Sequence, residues 1–369
     1  MHTQSISLPP HLRPSDGRFG SGPSLVRPAA LGGLSAAGSA YLGTSHRHEN
    51  VRSVVRRIRH GLALLFALPD GYEVALGNGG ATLFWDAAIF SLIEEQSLHY
   101  VCGAFSQRFA DAVASAPHLR TPYLESAPPG SRPELVASGD ADTIALIHNE
   151  TSTGVWMPVE PADGGGLVVV DATSAAGAME VDPAAFDAYY FSPQKAFGSE
   201  GGLWVALLSP AAVERIGDLA SLRWTPPSLD LAAALAESRN DQTLNTPALA
   251  TLFLLADQIE WLLEQGGLEW AAARCRTSSS ILYDWAEQSP HARPFVADPG
   301  HRSPTVVTLE MIGVEAKSVS DALRANGIVD TGGYRQMGGN TTRFAVFPNV
   351  DPGDVERLTG ALDFIIERL

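Results

Sequence analysis

Lysine is nearly absent from this chain: Lys195 and Lys317 are the only lysines among 25 basic side chains. Solvated positive faces are therefore built from arginine, and a lysine in an apolar setting needs a separate reason. Cysteine is as scarce. Cys102 and Cys275 form neither a disulfide framework nor a metal-ligand spacing, so no metal site is expected. No apolar run approaches the roughly 20 residues of a membrane span. The first residues lack a basic stretch leading into an apolar one, so no secretory leader is expected and the cytoplasm is the expected compartment. An excess of positive charge is missing too; the net charge of −16 argues against a nucleic-acid surface. What remains is 369 residues, 45% hydrophobic and 18% charged, enough for two domains and a large core in a soluble α/β protein.

Lys195 lies between two apolar runs of strand type, Ala188 to Phe191 and Leu203 to Leu208, in a polar turn that ends at Gly201-Gly202. An amine can lose its proton and attack a carbonyl, which an always-charged guanidinium cannot. The alternative is an ordinary surface lysine in a loop. Upstream, Leu167-Val-Val-Val-Asp171 is a continuous apolar run of the parallel-strand kind that closes on an acid. Ligands of open α/β sheets bind beyond the carboxyl ends of strands, and Asp171 and Lys195 both fall at such ends. Pyridoxal phosphate requires this pair, a lysine for its aldehyde and an acid facing its pyridinium nitrogen. Asp171 could otherwise be a strand-end turn residue.

Seven strand candidates begin near positions 72, 98, 122, 143, 167, 188 and 203, with helical segments between several of them. That predicts a mostly parallel sheet covered by helices. Tyr72 to Leu76 is followed by Gly77-Asn-Gly-Gly-Ala81-Thr82 and a helix, the arrangement that binds phosphate, although plain turns share the composition. A helix over 51–67 places Arg52, Arg56, Arg57 and Arg59 on a solvated or subunit-facing side. Phe105, at the start of a helix, could stack on a flat ring or belong to the core. The strand over 143–147 runs into His148-Asn-Glu-Thr-Ser-Thr-Gly154, either a site or a hydrogen-bonded turn. Thr246-Pro247 has the form of an N-cap and first turn for a helix reaching Glu264. From Thr305 the pattern becomes strand, helix, strand, strand, helix, a smaller α+β domain. Arg343, in an otherwise apolar strand, needs an anionic ligand or a carboxylate partner. The expected division is a mobile segment 1–14, a large domain 15–255 and a small domain 256–369.

The pieces Phe19-Gly-Ser-Gly-Pro-Ser, Thr44-Ser-His-Arg, Gly77-Asn-Gly-Gly-Ala-Thr, His148-Asn-Glu-Thr-Ser-Thr-Gly, Ser192-Pro-Gln-Lys, Asn245-Thr-Pro and Ala325-Asn-Gly-Ile-Val-Asp follow one another in a specific order. Together they resemble the phosphoserine aminotransferases, class V enzymes of fold type I pyridoxal-phosphate transferases, in the form typical of mycobacteria and other actinobacteria. The resemblance runs from about Ser15 to Leu369. It implies that Lys195 carries pyridoxal 5'-phosphate and Asp171 pairs with the ring nitrogen. It implies cofactor contacts from Thr151, Gln194, Ala81, Thr82 and Phe105, and from Asn245 and Thr246 of the neighbouring subunit of a homodimer. Arg343 would hold the substrate α-carboxylate, and His46, Arg47 and Arg335 the distal anion. The implied reaction transfers an amino group between L-glutamate and 3-phosphohydroxypyruvate, giving O-phospho-L-serine and 2-oxoglutarate; action on 4-phosphohydroxythreonine stays open. Two departures stand out: Phe105 replaces the tryptophan of many members, and Gly80-Ala81-Thr82 lacks their phosphate-turn arginine. The rival within the fold is alanine–glyoxylate or serine–pyruvate transamination, which leaves His46, Arg47 and Arg335 unexplained. Cysteine desulfuration needs a late nucleophilic cysteine, and none follows Cys275.

Overall fold

The computed structural model describes residues 6–162 and 164–369. Its strands are β1 (Glu73–Gly79), β2 (Ser97–Val101), β3 (Tyr123–Ser126), β4 (Thr143–Ile147), β5 (Asn149–Glu150), β6 (Val155–Trp156), β7 (Leu167–Asp171), β8 (Ala188–Phe191), β9 (Gly202–Leu208), β10 (Ala292–Pro294), β11 (Val306–Met311) and β12 (Thr341–Ala345). Seven of them form one sheet in the order β1-β9-β8-β7-β4-β2-β3. Each predicted strand is in it. β8, β7, β4, β2 and β3 run parallel, and β9 is reversed between β1 and β8.

The sheet is buried on both faces because its strands are apolar throughout. Val168 and Val170 point into one core with Leu76, Tyr189 and Val205, while Leu167 and Val169 point into the opposite core with Ala145, Tyr190 and Ala206. This is the two-residue period of a pleated strand, with each face supplied by a different set of helices. The first face is covered by α2 (Glu49–Leu65) and α7 (Leu249–Gln265), which follow α1 (Pro28–Tyr41) and α6 (Leu231–Arg239) in the chain. Val51, Val54, Val55, Ile58, Leu62 and Leu65 form the apolar stripe of α2. Its arginines are not left to solvent alone: Arg56 and Arg59 share Asp241, and Arg57 forms a two-bond pair with Glu260. The second face is covered by α3 (Ala81–Ser91), α4 (Ala104–Ala114), α5 (Pro210–Leu222) and α6.

A third core gathers α8 (Gly267–Gln288), α9 (Ala316–Ala325), α10 (Pro352–Ile366) and the antiparallel sheet β10-β11-β12. The chain returns to it from its beginning, since Leu8 and Phe19 are buried there. Of the segment expected to be mobile, residues 1–5 lie outside the described residues, and Leu8 N–H bonds to Asn326 Oδ1 at 2.8 Å.

Three local expectations need correction. Gly77 to Gly79 belong to β1, because the Trp204 ring of β9 lies where a Cβ on Gly77 would stand. The long helix begins at Leu249 with Ala248 as its cap, so Thr246 does not cap it. Of the two strands expected after α9, only β12 is a full strand; Val329 makes an isolated bridge to Arg18.

Candidate active site

The carboxyl ends of β1, β4, β7 and β8 meet the start of the reversed β9 at one rim of the sheet: Gly79 pairs with Gly202, Ile147 with Asp171, and Asp171 with Tyr190. Strand carboxyl ends without further ladder partners leave a crevice there. A cavity of about 340 Å³ occupies it. Lys195 and Asp171 both line it, each only 6% exposed.

Two sets of contacts fix the lysine. Its Nζ donates to Thr151 Oγ1 at 2.6 Å and lies 5.3 Å from the centre of the Phe105 ring. Its aliphatic stem runs against Gly22, where a Cβ would come within 3.0 Å of Lys195 Cε. Gly22 has φ +132°, so glycine is needed for backbone and close approach alike. Burial lowers the proton affinity of the amine, with Arg343 acting in the same direction and Asp171 opposing, so its pKa falls to about 8. A buried amine of this kind reaches its neutral, nucleophilic form far more readily than a solvated one.

Asp171 is oriented by the Thr173 N–H, which donates to Oδ1 at 2.9 Å, and by Trp85 Nε1, 3.4 Å from Oδ2. Burial raises its pKa, and the Thr173 bonds and the charge of Lys195 oppose the rise. Across the cavity, Gly80 caps α3, and Ala81 and Thr82 form its first turn. First-turn amides have no partner within the helix, and the positive end of the helix dipole adds to them, so this end suits an anion.

Arg343 decides an alternative left open by the sequence. It makes no ion pair with a carboxylate among the described residues. Its Nη1 donates to the Thr151 carbonyl at 2.6 Å, its guanidinium sits 5.4 Å from the Tyr334 ring centre, and its Nε is buried without a partner. Burial holds its pKa down to about 10. A half-buried cation with a buried, unused donor is the form expected of a clamp for an incoming anion.

The expected residues thus fall into two groups. Ala81, Thr82, Phe105, Thr151, Asp171, Gln194, Lys195 and Arg343 all line the one cavity. Asn245, Thr246, His46 and Arg47 lie elsewhere, on the surface. There Thr246 Oγ1 is 3.2 Å from His46 Nδ1, Asn78 donates to the Thr246 carbonyl, and Arg47 donates to Gln242. Arg335 is exposed, one residue beyond the cavity-lining Tyr334. Ser21, Gly22, Trp85, Thr173 and Tyr334 also line the cavity and were missed. Trp85 had a signal, since it stands three and four residues after Thr82 and Ala81 on the same helical face. Ser21 and Gly22 had only the resemblance of the Phe19-Gly-Ser-Gly-Pro-Ser stretch, which assigned them no role.

The family model of the class-V aminotransferases matches residues 133–357. Fold and cavity together therefore define a class-V aminotransferase. The phosphoserine aminotransferase of Rhodococcus jostii (strain RHA1) is 52% identical over 371 residues, covering 100% of each chain. The crystal structure of a phosphoserine aminotransferase from Cytophaga hutchinsonii superposes with a TM-score of 0.86 at 27% identity, covering 94% of this chain and 99% of that one. An aspartate aminotransferase of subgroup IV from Thermus thermophilus reaches a TM-score of 0.81 at 28% identity, covering 95% and 99%, so the fold alone does not select the substrate. At half identity over the full length, the chain belongs to the phosphoserine aminotransferase family and is an aminotransferase.

Proposed function

We propose that the cavity holds pyridoxal 5'-phosphate and exchanges amino groups between L-glutamate and 3-phosphohydroxypyruvate. The observation that supports this most directly is the pairing of Lys195 and Asp171, a buried amine and a buried carboxylate on one cavity that also opens onto the start of a helix. The residues present fit the cofactor: an amine for its aldehyde, an acid for its ring nitrogen, free amides for its phosphate and an aromatic face for its ring.

The bound cofactor supplies an aldehyde that condenses with amines and a protonated ring that accepts the electrons of the bond being broken. Asp171 holds the proton on the ring nitrogen through its negative charge, and the Thr173 amide keeps that carboxylate turned inward. Ala81 and Thr82 at the start of α3 would receive the phosphate, and Gln194, on the same cavity, would add a contact. Phe105 would offer its face to the ring, and Thr151 stands beside Lys195 Nζ. Arg343 binds the α-carboxylate of either substrate, which fixes the Cα–H bond relative to Lys195. Lys195 Nζ, its pKa lowered by burial to about 8, would take the proton from the substrate Cα and give it back, the work of a general base with a pKa near the working pH.

The surface group His46, Arg47, Asn245 and Thr246 contributes in this reading to the cavity of a second copy in a homodimer. Asn245 and Thr246 meet the cofactor phosphate, while His46 and Arg47, with Arg335, receive the distal phosphate or carboxylate. Both substrates carry a second anion, which alanine and serine lack. The large domain 15–255 would then hold the cofactor and the small domain 256–369 would supply Arg343, in a cytoplasmic enzyme. Borohydride treatment of the native enzyme, followed by peptide mapping, tests the core of the assignment. The cofactor should be fixed on the peptide containing Lys195; a label on Lys317 would refute it. Bleaching of the cofactor absorbance by glutamate and its return with 3-phosphohydroxypyruvate tests the substrate pair.

A further inference from the structure

Glu150 takes no part in the roles above, yet its carboxylate is wholly buried, at 0% exposure, beside the cavity. Its bonds go to two separate segments. Oε1 accepts from the amide and hydroxyl of Ser152, at 3.0 and 2.6 Å. Oε2 accepts from the amides of Phe105 and Ser106, at 3.2 and 3.0 Å, and from the Ser106 hydroxyl at 3.0 Å. The Phe105 and Ser106 amides are first-turn donors of α4, which have no partner in their own helix, and the helix end favours a negative charge. All these donors are neutral, so the buried charge is held by dipoles rather than by a cation. The approach requires glycine at 103, since a Cβ there would stand 2.4 Å from Glu150 Cγ.

The two segments are two walls of the cavity. One carries Phe105. The other carries Thr151, whose hydroxyl accepts from Lys195 and whose carbonyl accepts from Arg343. We propose that Glu150 is a positioning residue: its carboxylate locks the start of α4 to the Thr151 turn and so sets Phe105 relative to Lys195 and Arg343. This rests on the reading that Phe105 and Thr151 face the cofactor. The carboxylate is suited to the task because it accepts on both oxygens. An amide in its place keeps the shape but turns an NH₂ toward one row of donors and releases one wall.

The test uses the holoenzyme with Glu150→Gln, read by the visible circular dichroism of the bound cofactor, by cofactor Kd, and by kcat/KM for phosphoserine and for glutamate. The expected result is a folded protein with a weakened dichroic band. Kd and both kcat/KM values should worsen by about ten- to a hundredfold, the scale of an ångström-level misplacement. If that variant does not fold, Ser106→Ala and Ser152→Ala each remove a hydroxyl bond to the Glu150 carboxylate, together with the amide bonds those hydroxyls accept from Cys102 and Gly103 and from Ala104; both should weaken the band in part. A lower Tm with band, Kd and kinetics unchanged would overturn the proposal, because a merely structural carboxylate would behave so. Absence of cofactor from Lys195 in borohydride-treated wild type is a separate failure. It would overturn the reading of the cavity itself.

Discussion

The buried cavity and the exposed cluster around His46 and Thr246 differ in how far a single chain encloses and orients its polar groups. Around Lys195, each chemical group is oriented by a contact from its own chain: Thr151 for the amine, Thr173 for Asp171, the Thr151 carbonyl for Arg343. Around Thr246, the groups are exposed or half-exposed, and their bonds to one another are few; His46 Nε2 is buried without a partner. The first arrangement encloses a cavity of about 340 Å³. The second has charge and donors but no enclosing walls, and it sits away from the chain's own cavity. The function proposed above places the chemistry common to all amino donors in the first region and selection of the second anion in the other.

The largest effect that bears on this contrast is loss of the amine. Lys195→Ala should abolish the cofactor's visible band in its lysine-bound form and lower turnover by more than about a thousandfold, at the upper end of general acid–base contributions. Retained turnover would move the chemistry out of the buried region. Asp171→Asn keeps the shape and removes the charge, so the cofactor should stay while kcat falls about a hundred- to a thousandfold, the scale of lost electrostatic stabilisation. Single-turnover spectra with glutamate would show a slowed proton transfer rather than weaker binding.

The contrast sharpens when two arginines are compared. A charge-assisted bond to a buried anion is worth about 1.5–3 kcal/mol, so each loss should lower kcat/KM about ten- to a hundredfold. Arg343→Ala should do so equally for phosphoserine, glutamate and alanine. Arg47→Ala should affect phosphoserine and glutamate and leave residual activity on alanine nearly unchanged. An equal fall on all three for Arg47→Ala would erase the proposed division of labour. Dilution supplies a related measurement. If Asn245 and Thr246 complete a second copy's site, release of cofactor should track dissociation seen by sedimentation, and full retention by a proven monomer would contradict it.

The smallest effect is in pH. Burial brings the Lys195 pKa down to about 8, whereas the unfolded chain keeps that proton to 10.5. Between those values the unfolded state binds more protons, so this group makes the apoenzyme more stable as pH rises across the window. The same shift predicts that capture of pyridoxal phosphate by apoenzyme speeds up by nearly tenfold per pH unit below about 8 and levels off above it. Stopped-flow absorbance from pH 6 to 10 would show the break, and a rate still climbing tenfold per unit at pH 9 would place the amine in solvent.

The sequence alone determined which segments make the sheet, because a strand buried on both faces must be apolar at every position, as Leu167–Val170, Ala188–Phe191 and Leu203–Leu208 are; the reversal of β9 was decided by the fold. It also determined Lys195 and Asp171 as candidates, since both are charged groups at the ends of such runs. Tertiary structure was needed wherever a role depends on segments far apart in the chain. Arg343 could have been half of an ion pair until its surroundings showed the Thr151 carbonyl and an unused Nε. Gly77 had the composition of a turn, and only the Trp204 ring from β9 explains its place in a strand. Tyr334, Ser21 and Gly22 reach the cavity from distant loops, for which no local periodicity exists. Glu150 looked like one polar residue among seven. Its two oxygens acquire meaning only when α4 and the Thr151 turn are brought to the same point, because hydrogen-bond partnership is a property of space and not of the order of residues.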